Sequence, residues 1–182
     1  YKRQVFSLLI FRFIWGFCGG HWSRWRQLAC TPELIRQYFK TSAPTAVYLG
    51  HNPIGSLSVI ALLVLLLLQV STGLFSDDEI SNAGPLVSLV AESTVSLATS
   101  WHKGLGKTLI ILLVAVHLLA ILWYFVKKKQ NLTIAMLKGD KSSEAPAHSS
   151  QDGPANWLLA VLCIMVSAGL VYALINLGAR AA

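Results

Sequence analysis

Two histidines, fifteen residues apart, are the side chains in this sequence best suited to carry chemistry. His102 lies at the start of a long apolar stretch and His117 lies in its middle. An ionisable side chain inside an apolar segment long enough to cross a membrane is costly, and such residues usually serve a function. In one continuous helix, this spacing corresponds to about 22 Å along the axis and to a difference in rotation of about 60°. The two imidazoles are therefore expected on one face of the helix, at two depths.

A neutral imidazole is a strong ligand for haem iron, and two haems at two depths would let electrons cross the hydrocarbon of a membrane. The spacing of His102 and His117 therefore suits transmembrane electron transfer. The pair alone leaves a second interpretation open, in which His117 hydrogen-bonds a neighbouring helix and His102 is an interfacial residue. Gly104 and Gly106 leave space for a porphyrin edge beside His102, although small residues also favour plain helix packing.

Two further residues could contact a cofactor. Arg12 lies within an apolar run, where an unpaired guanidinium is expensive and is expected to find an anion, such as a haem propionate, or to reach the membrane surface. His51 lies just before another apolar segment, in which Asn52 suits an N-cap and Pro53 suits the first helical turn. His51 could contact a propionate or a quinone, but its place at the membrane surface makes it a poor axial ligand.

The composition places these residues in a membrane protein. Of 182 residues, 54% are hydrophobic and only 13% are charged, whereas about a quarter of the residues in a soluble domain are charged. A helix that crosses a bilayer needs about 20 apolar residues, and four segments approach or meet this length: residues 4–20, 53–75, 104–126 and 157–177. The sequence therefore predicts an all-α transmembrane helix bundle with four spans, and it excludes a soluble monomer.

The distribution of charge predicts how the spans are oriented. The formal net charge is +7, and Lys and Arg cluster at the ends of apolar runs, so the basicity indicates membrane topology rather than a nucleic-acid partner. Basic residues between the first and second spans, and after the third, indicate that these segments are cytoplasmic. The segment 76–101 has acidic residues but no Lys or Arg, so we expect it to be a loop on the outer side. Lys2 and Arg3 do not fit this orientation.

Other patterns exclude further classes of chemistry. The three cysteines lie far apart and form no C-x-x-C pair, so no disulfide framework, zinc site or c-type haem attachment is predicted. The run GLGKT, residues 104–108, is similar to a phosphate-binding loop but lacks the first glycine and a preceding strand, so nucleotide binding is not expected. The chain begins at Tyr1 without a signal-peptide pattern, which indicates an incomplete or processed N-terminus.

Several short motifs follow one another along the chain: FRFIWGF (residues 11–17), GHNPIG (50–55), GPL (84–86), the His102 and His117 pair, and IAMLKG (134–139). In this combination and order, the chain resembles the bacterial and nickel-hydrogenase type cytochrome b561 family over residues 1–139. The resemblance implies a four-helix bundle that holds two b-type haems by bis-histidine ligation. It also implies electron transfer with the quinone pool or a redox partner at either membrane face.

The resemblance further implies roles for individual residues. His102 is similar to the ligand of the outer haem and His117 to that of the inner haem, while Arg12 would lie near the propionates of the inner haem. In the family the other two ligands come from a first helix and from the start of the second, and no His occurs in residues 1–20. We expect an N-terminal truncation with one more helix upstream; otherwise another segment or subunit supplies these ligands, or one haem is absent.

These interpretations divide the chain into a cytochrome b core with three spans (residues 1–139), a flexible cytoplasmic linker (140–154) and an additional C-terminal transmembrane helix (155–182). The linker is rich in Ser, Ala, Pro, Asp and Gly, a composition that cannot bury much apolar surface. The expected function is electron transfer through haem b in the bacterial inner membrane. The expected partners are the quinone pool and a c-type cytochrome, or a dehydrogenase-like or hydrogenase-like subunit.

No group-transfer chemistry is expected, although the chain could be one component of a quinol or quinone oxidoreductase. The alternative is a haem-free membrane anchor or a transporter subunit. Transporters usually need interrupted helices with polar residues near the middle of the membrane. The polar residues of the span 53–75 lie toward its ends instead, which favours the cytochrome.

Overall fold

The computed structural model of the chain describes residues 2–28, 30–40, 50, 52–80, 83–129, 133–134 and 153–181. The α-helices within these ranges are α1 (Lys2–Cys18), α2 (Pro32–Lys40), α3 (Pro53–Phe75), α4 (Glu92–Lys103), α5 (Leu105–Lys128) and α6 (Pro154–Ala181). Short 3₁₀ turns occur at His21–Ser23, Trp25–Gln27 and Val87–Leu89. The described ranges contain no β-strand beyond an isolated bridge between Asp77 and Ala83, so the all-α prediction is confirmed.

Helix α3 has the bounds of the second predicted span. Its 23 residues are uncharged and, at 1.5 Å per residue, extend about 34 Å, enough to cross the hydrocarbon core. Asn52 caps the helix, because its Oδ1 accepts a hydrogen bond from the backbone N–H of Gly55 at 2.6 Å. Pro53 follows in the first turn, where its missing N–H costs nothing. These two residues explain why the helix begins where it does.

Within the described ranges, three helical segments are long and apolar enough to cross a membrane: Pro53–Phe75, Glu92–Lys127 and Pro154–Gly178. They correspond to the second, third and fourth predicted spans. The first predicted span corresponds to α1, whose 17 described residues lie at the lower end of the lengths that cross a bilayer. Helix α1 contacts both α3 and α6. The first and last helices of the chain are therefore packed together.

Two expectations about the region before α5 are wrong. The segment 76–101, expected to be a loop, contains the 3₁₀ turn Val87–Leu89 and most of α4. Nor does one continuous helix carry both histidines, because Gly104 separates α4 from α5 with φ −98° and ψ −104°. A Cβ on Gly104 would lie 2.8 Å from the carbonyl oxygen of Ser100, so a residue with a side chain fits poorly at this break. His102 lies near the end of α4, and the rotation calculated for an unbroken helix does not apply.

The C-terminal helix α6 packs along α1. Its buried side chains are four residues apart and form one stripe along the helix, as residues at this spacing do: Cys163, Ser167, Val171 and Ile175. Near its end, Gly178 lies directly against the backbone carbonyl of Pro85. The predicted linker, residues 140–154, lies outside the described residues except for Gly153 and Pro154.

Candidate functional site

The imidazole of His102, near the end of α4, lies against α3. Its Nδ1 is 2.8 Å from the backbone carbonyl oxygen of Gln69. A carbonyl oxygen only accepts hydrogen bonds, so Nδ1 of the neutral ring carries the proton and donates it. The hydroxyl of Thr72 lies farther from Nδ1, at 3.5 Å, and donates instead to the carbonyl of Leu68 at 2.8 Å. In the neutral ring with this tautomer, the second nitrogen, Nε2, is the one able to bind a metal.

Gln69 binds His102 through a second hydrogen bond. Its side-chain Nε2 donates to the backbone carbonyl of His102 at 2.8 Å, across 33 residues of sequence. Hydrogen bonds between membrane helices are worth about 1 kcal/mol each. The two bonds run in opposite directions, so they hold α4 against α3 and fix the orientation of the imidazole at the same time.

Gly73 provides the space in which the His102 ring lies. A Cβ at this position would be 2.7 Å from Cε1 of His102, which is well inside the contact distance of two carbon atoms. Gly73 lies one helical turn after Gln69, on the side of α3 that faces α4. The absence of a side chain here is therefore a condition for the His102 geometry.

The GPL motif, residues 84–86, closes over the end of α3. The backbone N–H of Gly84 donates to the carbonyl of Ser76 at 2.8 Å, and that of Leu86 donates to the carbonyl of Leu74 at 3.0 Å. A side chain at Gly84 would collide with the Leu74 carbonyl. The motif thus satisfies carbonyl groups at the C-terminal end of α3 that have no partner inside the helix.

Two buried polar atoms beside His102 have no hydrogen-bond partner among the described residues: the side-chain Oε1 of Gln69 and the indole Nε1 of Trp101. Both atoms lie against Gly106. One is an acceptor and the other a donor. A buried polar group without a partner costs about 1–3 kcal/mol, so a further polar group that bound here would be stabilised.

His117 lies on α5 and is half-buried. In the part of the chain that the structure describes, its imidazole makes no hydrogen bond. The most apolar stretch of the segment Glu92–Lys127 has no buried residue, so the surroundings of His117 on α5 are open to lipid, to a cofactor or to another helix. The predicted alternative, a hydrogen bond from His117 to a neighbouring helix, has no counterpart in these residues.

Arg12, half-buried in α1, has partners from the chain that follows the helix. Its Nη1 donates to the backbone carbonyl of Ser23 at 2.9 Å, and the guanidinium carbon lies 5.0 Å from the ring centroid of Trp25, within cation–π range. These contacts differ from both predicted partners, an anion and the membrane surface. The hydrogen bond uses one of the five N–H donors of the guanidinium, so others are available to a ligand.

The FRFIWGF motif, residues 11–17, places Trp25 beside Arg12. Trp25 lies over Gly16, where a side chain would collide with the indole, and its Nε1 donates to the backbone carbonyl of Phe13 at 3.1 Å. The rings of Phe13 and Phe17 lie 6.1 Å and 6.5 Å from that of Trp25. The motif thus folds the segment after α1 back over the helix and brings Trp25 to Arg12.

A family model described as prokaryotic cytochrome b561 matches residues 4–139. The chain belongs to the prokaryotic cytochrome b561 family. Its members are multi-pass membrane proteins that bind haem b and transfer electrons, so the resemblance stated from the motifs is confirmed. No curated protein and no solved structure matches the chain. The matched segment ends before α6, which lies outside the family model.

The surroundings of His102 fit the needs of an axial haem ligand in this cytochrome. The Gln69 carbonyl holds the Nδ1 proton and leaves Nε2 free, which is the usual arrangement of a metal-binding histidine and its hydrogen-bond partner. No three His, Cys, Asp or Glu side chains come together within the described ranges, as they would around a bare metal ion. A haem iron needs only axial ligands from the protein, so this observation does not weigh against the fit.

The predicted site residues of the cytochrome lie in separate regions. His102 lies between α3 and α4, His117 on α5, and Arg12 beside Ser23 at α1. His51 lies outside the described residues. Among the described residues, Arg12, His102 and His117 make no hydrogen bond with one another, and Arg12 and His102 are each held by separate partners.

Sequence reasoning missed Gln69, Gly73 and Trp101. A polar residue in an otherwise apolar helix, as Gln69 is, was the available signal. Nothing in the local sequence links Gln69 to His102, because the contact spans 33 residues. The sequence likewise gives no signal that the indole Nε1 of Trp101 is buried without a hydrogen-bond partner among the described residues.

A polar cluster that includes Asn52 was also missed. Asn52, the cap of α3, donates from Nδ2 to the hydroxyl of Tyr124 on α5. The hydroxyl of Tyr38 on α2 lies 3.0 Å from that of Tyr124. The cluster joins α2, α3 and α5 at the end of the bundle predicted to face the cytoplasm.

Proposed function

We propose that this cytochrome moves electrons across or along the bacterial inner membrane, between the quinone pool and a redox partner protein. His102 supplies an axial ligand to an outer haem b, and His117 supplies one to an inner haem b. The observation that carries the proposal is the hydrogen bond of 2.8 Å between Nδ1 of His102 and the Gln69 carbonyl oxygen. This bond leaves Nε2 as the nitrogen that binds iron.

The hydrogen bond supports ligation by His102 in two ways. It fixes the tautomer and the direction of the ring, and it increases the basicity of Nε2 because the carbonyl dipole stabilises the Nδ1 proton. The close fit of the ring against Gly73 limits its rotation. A ligand that is already oriented loses little entropy when it binds.

The free-energy cost of placing an imidazole in an apolar helix supports the assignment of His117 as a ligand. An imidazole in the middle of an apolar helix is expensive unless its nitrogens have partners, and the described residues offer it no hydrogen bond. Coordination to iron would satisfy one ring nitrogen. The open surroundings of α5 are compatible with a large planar group beside this residue.

Haem, when bound, supplies one-electron oxidation and reduction at its iron. The residues of the chain hold the ligand nitrogens and bind the propionate charges. Arg12 offers its remaining donors to a propionate of the inner haem, with the guanidinium held by Ser23 and Trp25. Trp101 offers its free indole N–H to an acceptor beside the outer haem. His51 is assigned to a propionate or to a quinone at the membrane surface.

We assign one redox partner to each end of the proposed electron path. The donor or acceptor protein is a c-type cytochrome or a dehydrogenase-like or hydrogenase-like subunit, and the other end exchanges electrons with quinone. The acidic region between α3 and α4 is assigned to the outer face, and the lysines at the end of α5 are assigned to the cytoplasmic face.

A reduced-minus-oxidised visible spectrum of the full-length protein, purified from membranes, tests the proposal. We expect b-type bands and about two haems per chain, because each histidine ligates a different haem. A protein that carries no haem would contradict the proposal and favour a haem-free anchor. The quinone assignment is tested separately, by adding a soluble quinol to the oxidised protein and following haem reduction. Failure of the quinol to reduce either haem would remove quinone from the proposal and leave ligation unaffected.

A further inference from the structure

Two cysteines that lie far apart in the chain meet between α1 and α6. The Sγ atoms of Cys18 and Cys163 are 3.9 Å apart, across 145 residues of sequence. Cys18 is the last residue of α1, and Cys163 belongs to the buried stripe of α6, with 7% of its surface exposed. No sequence motif indicated this pair, because its members lie on helices at opposite ends of the chain.

Both cysteines are held in place by their helices. The thiol of Cys18 donates to the carbonyl of Ile14 at 3.4 Å. The backbone carbonyl of Cys163 accepts a hydrogen bond of 2.7 Å from the hydroxyl of Ser167, which is fully buried. The contact therefore belongs to the packed interface of α1 and α6. The third cysteine, Cys30, donates its thiol to the nearby carbonyl of Leu28 at 3.3 Å.

We infer that Cys18 and Cys163 form a reversible disulfide that fastens α6 to α1. The sulfur atoms need to approach by about 2 Å to reach bonding distance. The pair is assigned to the cytoplasmic half of the membrane, where thiols are normally kept reduced. The disulfide therefore forms under oxidising conditions and opens when reductant returns.

A peroxide is the class of oxidant that fits the site, because hydrogen peroxide is small and neutral. Cys18 is the more exposed of the two thiols and reacts first, giving a sulfenic acid and one water as the O–O bond breaks. The Cys163 sulfur then displaces the hydroxyl group, which leaves as a second water while the S–S bond forms. Two thiols lose two electrons and two hydrogens in total, and one peroxide accepts them.

The disulfide would affect α6, the helix that lies outside the family model. Cys18 lies within the matched residues 4–139, whereas Cys163 lies beyond them. The disulfide would therefore join the C-terminal helix covalently to the cytochrome core. In the reduced protein, the described contacts of this helix are its packing against α1 and against the 3₁₀ turn Val87–Leu89, none of which is covalent.

The test uses the full-length protein in membranes, with a protease site inserted between residues 140 and 152. After treatment with hydrogen peroxide and blocking of free thiols, cleavage separates the part containing α1 from the part containing α6. On a non-reducing denaturing gel we expect the two fragments to migrate together, and to separate when dithiothreitol is added. Cys30→Ser is the matched control and should behave like the wild type. Cys18→Ser and Cys163→Ser should each give separate fragments without reductant.

Fragments of the wild-type protein that separate after oxidation would overturn the inference. Fragments that stay linked in Cys18→Ser would also overturn it, since another cysteine would then form the bond. Mass spectrometry of the oxidised wild-type protein gives a readout that depends on no variant. A peptide pair joined through Cys18 and Cys163 supports the inference, and a pair that includes Cys30 contradicts it.

Discussion

His102 and Gln69 are hydrogen-bonded to each other's backbone. Nδ1 of His102 lies 2.8 Å from the carbonyl oxygen of Gln69, and the side-chain amide of Gln69 donates to the carbonyl of His102 over the same distance. The orientation of the imidazole is thereby coupled to the contact between α3 and α4. Any change that shifts one helix against the other also moves the Nε2 nitrogen.

His102→Ala should remove the outer haem and leave the inner haem bound. The haem content should fall to about half of the wild-type value, because one of two haems loses an axial ligand. The hydrogen bond from Gln69 to the backbone of residue 102 is kept, so the packing of α4 should survive. Haem per protein and the ferrous spectrum measure this outcome. An unchanged spectrum would show that His102 is not a ligand.

His117→Ala should remove a different spectral component, that of the inner haem. Membrane insertion should remain intact, since alanine costs less than histidine in the middle of an apolar helix. The spectra of the two single variants are compared at equal protein concentration. If both substitutions abolish the same component, the assignment of one histidine to each haem is wrong.

Gly73→Ala should displace the His102 ring, because the new Cβ would lie 2.7 Å from Cε1 of that ring. Overpacking of this kind costs about 1–3 kcal/mol, more than the gain of about 1 kcal/mol in helix propensity. We expect partial loss of the component that His102→Ala abolishes, together with a lower temperature of haem release.

Gly169→Ala on α6 is the matched control for Gly73→Ala, since no described residue outside its own stretch of helix backbone comes within 4 Å of its Cβ position. Its haem spectrum should equal that of the wild type. A normal spectrum in Gly73→Ala as well would contradict the role of Gly73 in making room for the His102 ring.

The sidedness of the two haems depends on the orientation of the spans. Ile80, which is 91% exposed in the region between α3 and α4, is assigned to the outer face, and Arg36 on α2 to the cytoplasmic face. In a background that lacks the three native cysteines, Ile80→Cys in intact cells should react with a membrane-impermeant thiol reagent, and Arg36→Cys should not. The opposite pattern would place His102 near the cytoplasm and would exchange the partner surfaces of the two haems.

The sequence by itself determined where the apolar segments lie and, for α3, where the helix begins and ends. The bounds of α3 follow from Asn52, Pro53 and the uncharged run behind them, because helix capping and transfer into lipid are properties of neighbouring residues. The position of His117 within an apolar helix was visible for the same reason. The family was visible from short motifs, among them FRFIWGF and GPL, whose glycines allow close contacts in the structure.

The tertiary structure decided which helix faces meet. The third span is interrupted at Gly104, and His102 is hydrogen-bonded to Gln69. Arg12 has a carbonyl and an indole as partners. The Sγ atoms of Cys18 and Cys163 lie close together. Lipid is as apolar as the surfaces of the helices, so hydropathy provides no preference for one partner over another. The choice depends instead on small residues that allow close approach and on hydrogen bonds between distant segments, and both become visible only when the helices are packed together.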